Sequence, residues 1–277
     1  MVCKPVIKWV GGKRQLVSVL KDLLPKEYNR YFEPFIGGGA LFFSLQHPKS
    51  FISDYNHELT NLYRVIRDEP EALIEDLKKH HNTEQYYYEL RALDRTKELY
   101  SQLSDVARAS RFIYLNKTGF NGLYRVNRNG EHNVPYGRYK NPNWLDSQNI
   151  LACSKLLAQT EIQTGDFEII KEHIQKGDLI YFDPPYVPLN TSSNFTAYTD
   201  QGFDDSMQFR LKELCDYIDS IGAYFMLSNS YTEFILDLYK EYDITTVMAS
   251  RAVNSKASGR GKIREVVVRN YKDAKGS

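Results

Sequence analysis

The sequence predicts an α/β fold: an open, mostly parallel sheet built from both ends of the chain, with a helical and hairpin segment inserted between them. Three observations support this. Residues 31–35 form a short strand pattern that runs into a glycine turn and an apolar helix. Residues 176–182 form a second, glycine-led apolar strand, and the stretch between the two has mainly helical periodicity. We therefore expect a sheet domain of residues 1–56 and 146–277 and an inserted domain of residues 57–145.

At 277 residues, the chain is long enough for one large domain or two smaller ones, and its 42% apolar content supplies a full core. A formal net charge of +1 predicts no particular partner, so a nucleic-acid surface would have to come from local clustering of basic residues. Three scattered cysteines without a C-x-x-C pair fit a reducing compartment. The sequence contains no signal-peptide or membrane-span pattern, and its histidines lack metal-ligand spacing. These features predict a cytoplasmic protein with no membrane partner and no metal.

The N-terminal residues 9–13 (Trp-Val-Gly-Gly-Lys) predict a tight turn into a helix, because apolar residues then recur at helical spacing until a proline. The turn is not a phosphate-binding P-loop, which would need glycine in place of Ile7 and Ser or Thr in place of Arg14. Taken in isolation, Trp9 is explained by packing in a core and Lys13 by a surface charge at the helix start.

A second glycine turn, residues 35–39 (Phe-Ile-Gly-Gly-Gly), lies between a predicted strand and an apolar helix. This order brings the backbone close to a nucleotide-like ligand. The third glycine of a dinucleotide fingerprint would fall at Phe42, which argues against NAD. The next strand, residues 51–54, ends in Asp54, roughly 20 residues after the glycines, where an acid accepts ribose hydroxyls. The alternative is that Asp54 or Asn56 caps the helix that follows.

Residues 119–140 predict a β-hairpin, because Asn129-Gly130 is a strong hairpin turn signal. From Arg108 to Lys140 there are seven basic residues, interleaved with aromatic ones, and one acid. This excess in a protein of nearly zero net charge indicates a nucleic-acid surface. A solvated hairpin without a partner is the alternative. The basic residues are Arg108, Arg111, Lys117, Arg125, Arg128, Arg138 and Lys140.

The sequence Asp-Pro-Pro-Tyr at residues 183–186 directly follows the second apolar strand. Two consecutive prolines lack N–H groups and have fixed φ, so the backbone must leave the sheet at Asp183 in a stiff extended turn. The turn presents a carboxylate, the Pro184 carbonyl and the Tyr186 ring at the carboxyl end of a strand, where open α/β sheets bind ligands. These groups suit a planar base that carries an amino group. The alternative is a rigid surface turn with a solvated carboxylate.

Three other segments are informative. Residues 161–167 predict a strand and a turn in which Asp166 caps the helix that begins at Phe167. Residues 187–203 form a long polar loop, which we expect to be mobile in the free protein and ordered on nucleic acid. Residues 251–264 carry five basic residues and no acid, which suits contacts with phosphates.

Together and in this order, the two glycine turns, the basic hairpin and Asp-Pro-Pro-Tyr resemble the Dam-type family of DNA adenine-N6 methyltransferases (D12 class), which includes GATC-modifying enzymes of restriction–modification systems. The resemblance implies a Rossmann-like, S-adenosylmethionine-dependent methyltransferase sheet with a reversed strand at residues 263–270 and an inserted DNA-recognition domain. It implies a bacterial or phage enzyme that acts as a monomer on double-stranded DNA. Such an enzyme would flip the target adenine, the one in GATC, and methylate its N6 directly, without a metal.

The resemblance also implies residue roles. Catalysis would depend on Asp183, Pro184, Pro185 and Tyr186. The cofactor would contact Trp9, Gly11, Gly12, Lys13, Phe35, Gly37, Gly39, Asp54, Asp166, Phe167 and Asp183, with Asp166 and Phe167 beside its adenine as the alternative to the helix cap. DNA would contact Lys8, Phe120, Asn121, Leu123, Arg125, Asn133, Pro135, Arg138, Lys140, Arg260 and Lys262, with Arg125 on a guanine edge and Phe120 as a wedge in the base stack.

Two other function classes fit parts of the sequence. One is a DNA-binding module that keeps the fold without catalysis, and the intact acidic and glycine motifs argue against it. The other is an enzyme that acts on RNA or on a protein amide. The basic hairpin favours DNA, and Asp instead of Asn or Ser at the first position of Asp-Pro-Pro-Tyr favours adenine.

Overall fold

The structure, a computed structural model, describes residues 3–186, 203–250 and 262–272. It is a mixed α/β fold with a seven-stranded sheet. The strands are β1 (Tyr31–Glu33), β2 (Ser50–Asp54), β3 (Thr160–Thr164), β4 (Leu179–Phe182), β5 (Tyr224–Ser230), β6 (Asp243–Ser250) and β7 (Lys262–Arg269). Their order across the sheet is β3-β2-β1-β4-β5-β7-β6. The α/β class predicted from the sequence is confirmed, and the strand order is consistent with a Rossmann-like methyltransferase sheet.

The centre of the sheet is parallel. β1 pairs in parallel with β2 and with β4, and β4 pairs in parallel with β5. All four residues of β4 are buried, as expected for a parallel strand that is covered on both faces. The reversed strand predicted near the end of the chain is β7, which is antiparallel to both β5 and β6. It lies between these two strands, so β6 forms the edge of the sheet.

Ten α-helices accompany the sheet within the described residues. They are α1 (Val17–Asp22), α2 (Ala40–Leu45), α3 (His57–Asp68), α4 (Pro70–Leu77), α5 (Glu84–Ala92), α6 (Lys97–Ser101), α7 (Asp105–Thr118), α8 (Ser147–Leu157), α9 (Asp205–Ser220) and α10 (Glu233–Leu238). Short 3₁₀ helices span Leu93–Arg95, Phe120–Gly122 and Phe167–Glu172.

Polar side chains start these helices by accepting backbone N–H groups that have no partner within the helix. The cap of α3 is Asn56, whose side chain accepts from Glu58 N and Leu59 N. Pro70 occupies the first turn of α4, where a missing N–H costs nothing. The other caps are Thr83, Ser104, Asp146, Asp204 and Thr232.

The chain divides into two compact units. Unit 1 comprises Met1–Gly12, Gly37–Pro48 and Ser53–Gly165, and unit 2 comprises Lys13–Ile36, Lys49–Ile52 and Asp166–Ser277. In unit 2, apolar side chains of β1, β4, β5, β7 and α9 form the main core. In unit 1, a smaller cluster joins α5 to α7 through the buried Tyr87, Tyr114 and Leu115. The division into domains predicted from motif order stays a prediction.

In the part of the chain that the structure describes, no helix combines the length and apolar character needed to cross a membrane. The same residues contain no group of three or more His, Cys, Asp or Glu side chains placed to hold a metal ion.

Candidate active site

Four side chains of unit 2 meet beyond the carboxyl end of β4. Asp183 follows β4 directly, Tyr186 ends the Pro-Pro turn, Glu265 lies on β7 and Lys13 precedes α1. Lys13 Nζ is 3.0 Å from Asp183 Oδ1 and 3.9 Å from Glu265 Oε2. The Tyr186 hydroxyl donates to Glu265 Oε2 at 2.8 Å, and Lys13 Nζ lies 4.2 Å from the centroid of the Tyr186 ring. One ammonium group therefore lies among two carboxylates and an aromatic face.

The local sequence explains the position of Asp183. β4 is fully buried and cannot continue through two prolines, so the chain turns out of the sheet at this residue. The peptide bonds of the described residues are all trans. Although β4 is inaccessible, 18% of the Asp183 side chain is exposed, so an incoming polar group can reach the carboxylate. The predicted position of Asp183 at a strand end is confirmed.

The surroundings make the Asp183 carboxylate a strong acceptor. Burial raises its pKa above the ordinary value, the Lys13 ammonium opposes the rise, and the nearby Glu265 carboxylate adds to it. Burial, together with the two carboxylates, raises the pKa of Tyr186 far above its ordinary value. The phenol therefore stays protonated and remains a hydrogen-bond donor.

Sequence reasoning missed Glu265, and the surface-charge alternative for Lys13 is wrong, whereas its predicted contact with the cofactor stays a prediction. Only 7% of Lys13 is exposed, so it is not a surface charge at the start of a helix. Glu265 is also buried, and it precedes three fully buried valines on β7. An acid directly before three consecutive valines was the signal that could have identified it, because a buried carboxylate needs a partner.

Phe35 and Phe167 form an aromatic cluster in unit 2, with ring centroids 5.4 Å apart. Phe203 closes the cluster at 5.7 Å from Phe35 and 6.0 Å from Phe167. The structure thus brings together two residues that the sequence analysis assigned to the cofactor. It also adds Phe203, which the sequence analysis placed at the end of the polar loop.

Asp166 acts as a helix cap. Its side chain accepts from Glu168 N at 3.1 Å at the start of the 3₁₀ helix. Its carboxylate also pairs with Arg210 of α9 at 3.0 Å. The cap alternative is therefore correct, and a contact of Asp166 with a cofactor stays a prediction.

In unit 1, the glycine turn has a left-handed backbone conformation that hydrogen bonds at Gly37 stabilise. Gly37 and Gly39 have φ of 45° and 66°, in the left-handed region that favours glycine. The Gly37 N–H donates to Asp54 Oδ2 at 3.1 Å, and the Gly37 carbonyl accepts from the Tyr63 hydroxyl at 2.7 Å. A Cβ on Gly37 would lie 2.7 Å from Trp9 Cδ1. The turn therefore requires glycine because another side chain fills the space beside it.

Asp54 ends β2 and is not the helix cap. Its Oδ1 accepts from Asn56 N at 3.0 Å and its Oδ2 accepts from Gly37 N, whereas Asn56 caps α3. Burial raises the pKa of Asp54 to about 6, although these backbone donors oppose the rise. Each oxygen keeps acceptor capacity beyond its backbone donor. The carboxylate can therefore accept the hydroxyls of a sugar.

Trp9 connects the glycine turn to the hairpin within unit 1. Its indole contacts Gly37 and Gly38 and stacks on Tyr124 with centroids 5.4 Å apart. The packing explanation for Trp9 is thus correct. The predicted tight turn also forms: Gly11 has φ of 76°, and Gly12 N donates to Trp9 O at 3.2 Å.

The predicted hairpin is present in unit 1. Val126 pairs with His132 and Gly119 with Tyr136 in antiparallel bridges. Gly130 N donates to Asn127 O at 3.0 Å and closes the predicted turn. Its two strands are joined by isolated bridges and not by a continuous ladder of hydrogen bonds. Side chains of the helical segment before α7 hydrogen-bond the backbone of its second strand at His132 and Val134.

Arg125 lies exposed on this hairpin with its guanidinium fixed at one edge. Its Nε donates to Asn133 Oδ1 at 2.6 Å, and its Nη2 donates to the Asn133 carbonyl at 3.2 Å. Asn133 therefore orients Arg125, in addition to any contact with DNA that the sequence analysis predicted for it. A guanidinium held on one side can present its remaining N–H groups to a base edge.

Other predicted DNA contacts lie near Arg125 or on the same unit. Half of Phe120 (51%) is exposed, so its ring is accessible to a partner. The stem of Lys8 packs over Gly122, where an added Cβ would lie 2.5 Å from Lys8 Cδ. Asn121 and Arg138 have positive φ of 56° and 54°. Pro135, Arg138 and Lys140 are exposed, and Leu123 is half-buried.

Two basic residues counted toward this surface belong to the interior instead. Arg108 pairs with Glu58 at 2.5 Å, and the buried Arg111 pairs with Asp94 at 2.7 Å. Their acidic partners lie outside the counted segment, so the count of seven against one overstated the basic surface. Arg125, Arg128, Arg138 and Lys140 are the exposed basic residues of the hairpin segment.

Three predictions fall wholly or partly outside the described residues. They concern the polar loop at residues 187–203, apart from Phe203, the basic loop that contains Arg260, and the side chain of Lys262. The backbone of Lys262 begins β7.

Comparison with known proteins identifies the family. The family described as D12 class N6 adenine-specific DNA methyltransferase matches residues 9–253. The chain is 47% identical over 272 residues to the Type II methyltransferase M1.LlaDCHI of Lactococcus lactis subsp. cremoris, covering 97% of this chain and 95% of that protein. It is 42% identical over 291 residues to the Type II methyltransferase M.MjaIII of Methanocaldococcus jannaschii, covering 98% and 100%.

A DNA adenine methylase of Vibrio cholerae is 32% identical over 267 residues, covering 94% of each chain. Among solved structures, precorrin 8W decarboxylase of Methanobacterium thermoautotrophicum has a TM-score of 0.39 and 9% identity, covering 98% of this chain and 100% of that one, too low to bear on the fold. The sequence relatives and the family match agree with each other. The chain belongs to the D12 class of N6 adenine-specific DNA methyltransferases.

Proposed function

We propose that this adenine-specific DNA methyltransferase uses S-adenosylmethionine, acts on adenine within GATC in duplex DNA, and flips that adenine out of the helix. The observation that carries the proposal is the Asp183 carboxylate, held beside the Tyr186 ring at the end of β4 by Lys13. The donor follows from the methyltransferase family, and GATC follows from the hairpin resemblance.

In this mechanism, Asp183 and the Pro184 carbonyl accept the two hydrogens of the adenine amino group. The nitrogen lone pair is delocalised into the ring, and two acceptors favour a pyramidal nitrogen with a localised pair. The interaction strengthens as positive charge develops on the nitrogen, so it stabilises mainly the transition state. Burial raises the pKa of Asp183, so its ionised form is a more basic acceptor than a solvated carboxylate. Tyr186 stacks on the flipped base.

The residues present fit S-adenosylmethionine, which supplies an electrophilic methyl group when bound. Asp54 has acceptor capacity for ribose hydroxyls, and the adjacent turn at Gly37 lets the backbone approach a ligand closely. In unit 2, Lys13 and the aromatic pair Phe35 and Phe167 are assigned to the same ligand by the family resemblance. The chain's own contribution is binding and orientation, which place the methyl group in line with the nitrogen.

The pH dependence of cofactor binding tests Asp54. Because burial raises its pKa to about 6, lowering the pH from 7.5 to 5 protonates the carboxylate and removes a charged acceptor. We expect the affinity of wild type to fall roughly tenfold over this interval, following the ionised fraction. Asp54→Asn should bind weakly and without this dependence. Calorimetry at each pH gives the ratio of the cofactor affinity of wild type to that of Asp54→Asn, and titration of the cofactor itself cancels in this ratio. If the ratio does not change between pH 7.5 and 5, the role of Asp54 is contradicted.

We further propose that residues 57–145 form the DNA-recognition domain and contact double-stranded DNA through the hairpin. The fixed guanidinium of Arg125, the exposed Phe120 and the exposed basic residues around them support this assignment. Arg125 would contact guanine O6 and N7, since an arginine fork matches that edge. The other basic side chains would contact phosphates and contribute affinity without sequence preference.

Arg125 and Arg128 provide a matched pair of variants, because both are exposed arginines of one hairpin. Arg125→Ala should lower discrimination at one base pair by about 1–3 kcal/mol. Arg128→Ala should weaken binding to all sequences equally and reduce the salt dependence. Binding to cognate and singly changed duplexes at several salt concentrations separates the two effects. Equal losses on both duplexes for Arg125→Ala would contradict its recognition role.

Transfer of a labelled methyl group tests the function as a whole. The protein is incubated with labelled S-adenosylmethionine and, separately, with three duplexes. The first contains GATC, the second has one outer base pair of GATC changed, and in the third purine, which lacks the amino group, replaces the target adenine on both strands. We expect label only in the first. Equal labelling of the first two would refute GATC, and labelling of the third would refute N6 as the acceptor.

A further inference from the structure

Glu265 is a buried acid that none of the assigned roles explains. Only 7% of it is exposed, and it pairs across the sheet with Ser230 of β5. The next three residues of β7 are fully buried valines. A buried carboxylate is costly unless charged or hydrogen-bonded partners compensate it. Its partners therefore indicate why an acid lies at this position.

Glu265 makes a short contact with Tyr186. The phenol donates to Oε2 at 2.8 Å, whereas Lys13 Nζ is 3.9 Å from the same oxygen and only 3.0 Å from Asp183 Oδ1. The ammonium thus pairs mainly with Asp183. Glu265 serves Tyr186 through a charge-assisted hydrogen bond, which is stronger than a neutral one.

This bond restricts the Tyr186 ring. Fixing the hydroxyl position fixes the first side-chain torsion of the tyrosine. It restricts the second torsion as well, because a phenolic O–H lies near the ring plane and must point at its acceptor. Lys13 covers one face of the ring at 4.2 Å from its centroid. A planar base can then stack only on the opposite face, in the orientation that the hydroxyl contact sets.

We propose that Glu265 is a positioning residue for methyl transfer: it holds the Tyr186 hydroxyl so that the free face of the ring meets the flipped adenine. The inference rests on the proposed function, in which Tyr186 stacks on the target base. Glu265 itself touches neither the base nor the cofactor in this assignment. Its effect therefore passes through the tyrosine hydroxyl.

Three single variants test whether Glu265 acts through the tyrosine hydroxyl: Glu265→Ala, Glu265→Gln and Tyr186→Phe. Two double variants combine Tyr186→Phe with each of the Glu265 substitutions. Glutamine keeps an oxygen that accepts from the phenol, and phenylalanine keeps the stacking ring. We expect Glu265→Ala to slow single-turnover transfer about tenfold and Glu265→Gln to restore most of the rate. In the Tyr186→Phe background, alanine and glutamine at position 265 should give equal rates. Tyr181→Phe, which removes a buried hydroxyl bonded to Ser228 at 3.0 Å, is the control background.

The fluorescence lifetime of 2-aminopurine placed at the target position reports directly on stacking. A purely structural role of Glu265 would leave this lifetime unchanged. A ring that stacks firmly quenches the flipped base, so Glu265→Ala should lengthen its fluorescence lifetime, and Glu265→Gln should retain the wild-type value. An unchanged lifetime in Glu265→Ala, or an undiminished difference between alanine and glutamine in the Tyr186→Phe background, would overturn the inference. A wild-type protein that does not change the fluorescence at all would instead refute base flipping. If Glu265→Ala does not fold, Tyr186→Phe takes its place, because it removes the same hydrogen bond. Tyr186→Phe should then lengthen the lifetime relative to wild type and Glu265→Gln, and an unchanged lifetime would overturn the inference.

Discussion

Replacement of Asp183 by alanine is expected to slow methyl transfer by about 10³-fold, the loss typical of removing one preorganised electrostatic contact from a transition state. The variant removes the single carboxylate that Lys13 holds at 3.0 Å at the end of β4. It should leave the fold intact. Burial raises the pKa of Asp183, so its ionised form costs folding free energy that builds up as the pH rises from the unfolded-state pKa to the folded-state pKa, and its removal relieves this cost. The variant also removes the nearest carboxylate from the buried Lys13, which keeps Glu265 at 3.9 Å and the Tyr186 ring, so we expect a modest net change in stability.

Rates under single-turnover conditions, together with cofactor calorimetry and thermal unfolding, check this prediction. Asp183→Asn is the more demanding variant, because it keeps the shape and one acceptor oxygen but loses the charge; it should also be severely impaired. Asp237→Ala, on an exposed acid of α10 in the same unit, is the control and should match wild type. Transfer by Asp183→Ala within about tenfold of wild type would exclude the proposed mechanism.

The position of Asp183 was predictable from sequence because its causes are local. An apolar run followed by two prolines specifies both a buried strand and the residue at which that strand must end. The glycine turn before α2 and the hairpin turn at Asn129-Gly130 were predictable for the same reason, since φ preferences act within a few residues.

The partners of Asp183 were not predictable, because strand pairing brings them from distant parts of the chain. Glu265 reaches the site only because β7 inserts between β5 and β6 in one particular register. Lys13 reaches it from the start of α1. No local pattern specifies that register, although an isolated acid in a valine-rich strand marks a residue that needs a partner.

Charge counting failed for a related reason. Arg108 and Arg111 carry the same formal charge as Arg125, yet both are neutralised by acids of other helices. A segment's net charge predicts a surface only where its side chains face solvent. Arg111 lies within a continuous run of buried residues of α7, so its charge is compensated inside the protein and does not reach the surface.

The second large effect is expected from Gly37→Ala, which should weaken cofactor binding and destabilise the fold together. The left-handed φ of 45° costs a residue with a Cβ about 1–2 kcal/mol. The new Cβ would also lie 2.7 Å from Trp9 Cδ1 and 2.9 Å from Trp9 Nε1. Overpacking of this kind costs about 1–3 kcal/mol more. We therefore expect unfolding free energy to fall by about 2–5 kcal/mol.

Gly130→Ala separates the two causes. Gly130 also has a left-handed φ, 79°, but a Cβ there would meet nothing within 4 Å. Its substitution should cost only the backbone contribution, about 1 kcal/mol, and leave cofactor affinity unchanged. Calorimetry measures the cofactor affinity of both variants, and thermal unfolding measures their stability. Equal destabilisation by the two substitutions would mean that Trp9 yields easily and that steric contact does not shape the turn.

Cofactor affinity of Gly37→Ala should fall even at temperatures where the variant is folded. The Gly37 N–H donates to Asp54, so displacement of the turn also misplaces the acceptor proposed for the ribose. Trp9 cannot move away freely, because its other contacts include the stacked ring of Tyr124, next to Arg125. A shift of Trp9 should therefore also lower discrimination between cognate and changed duplexes, which Gly130→Ala should preserve. Normal cofactor affinity in a folded Gly37→Ala protein would show that the turn does not approach the ligand.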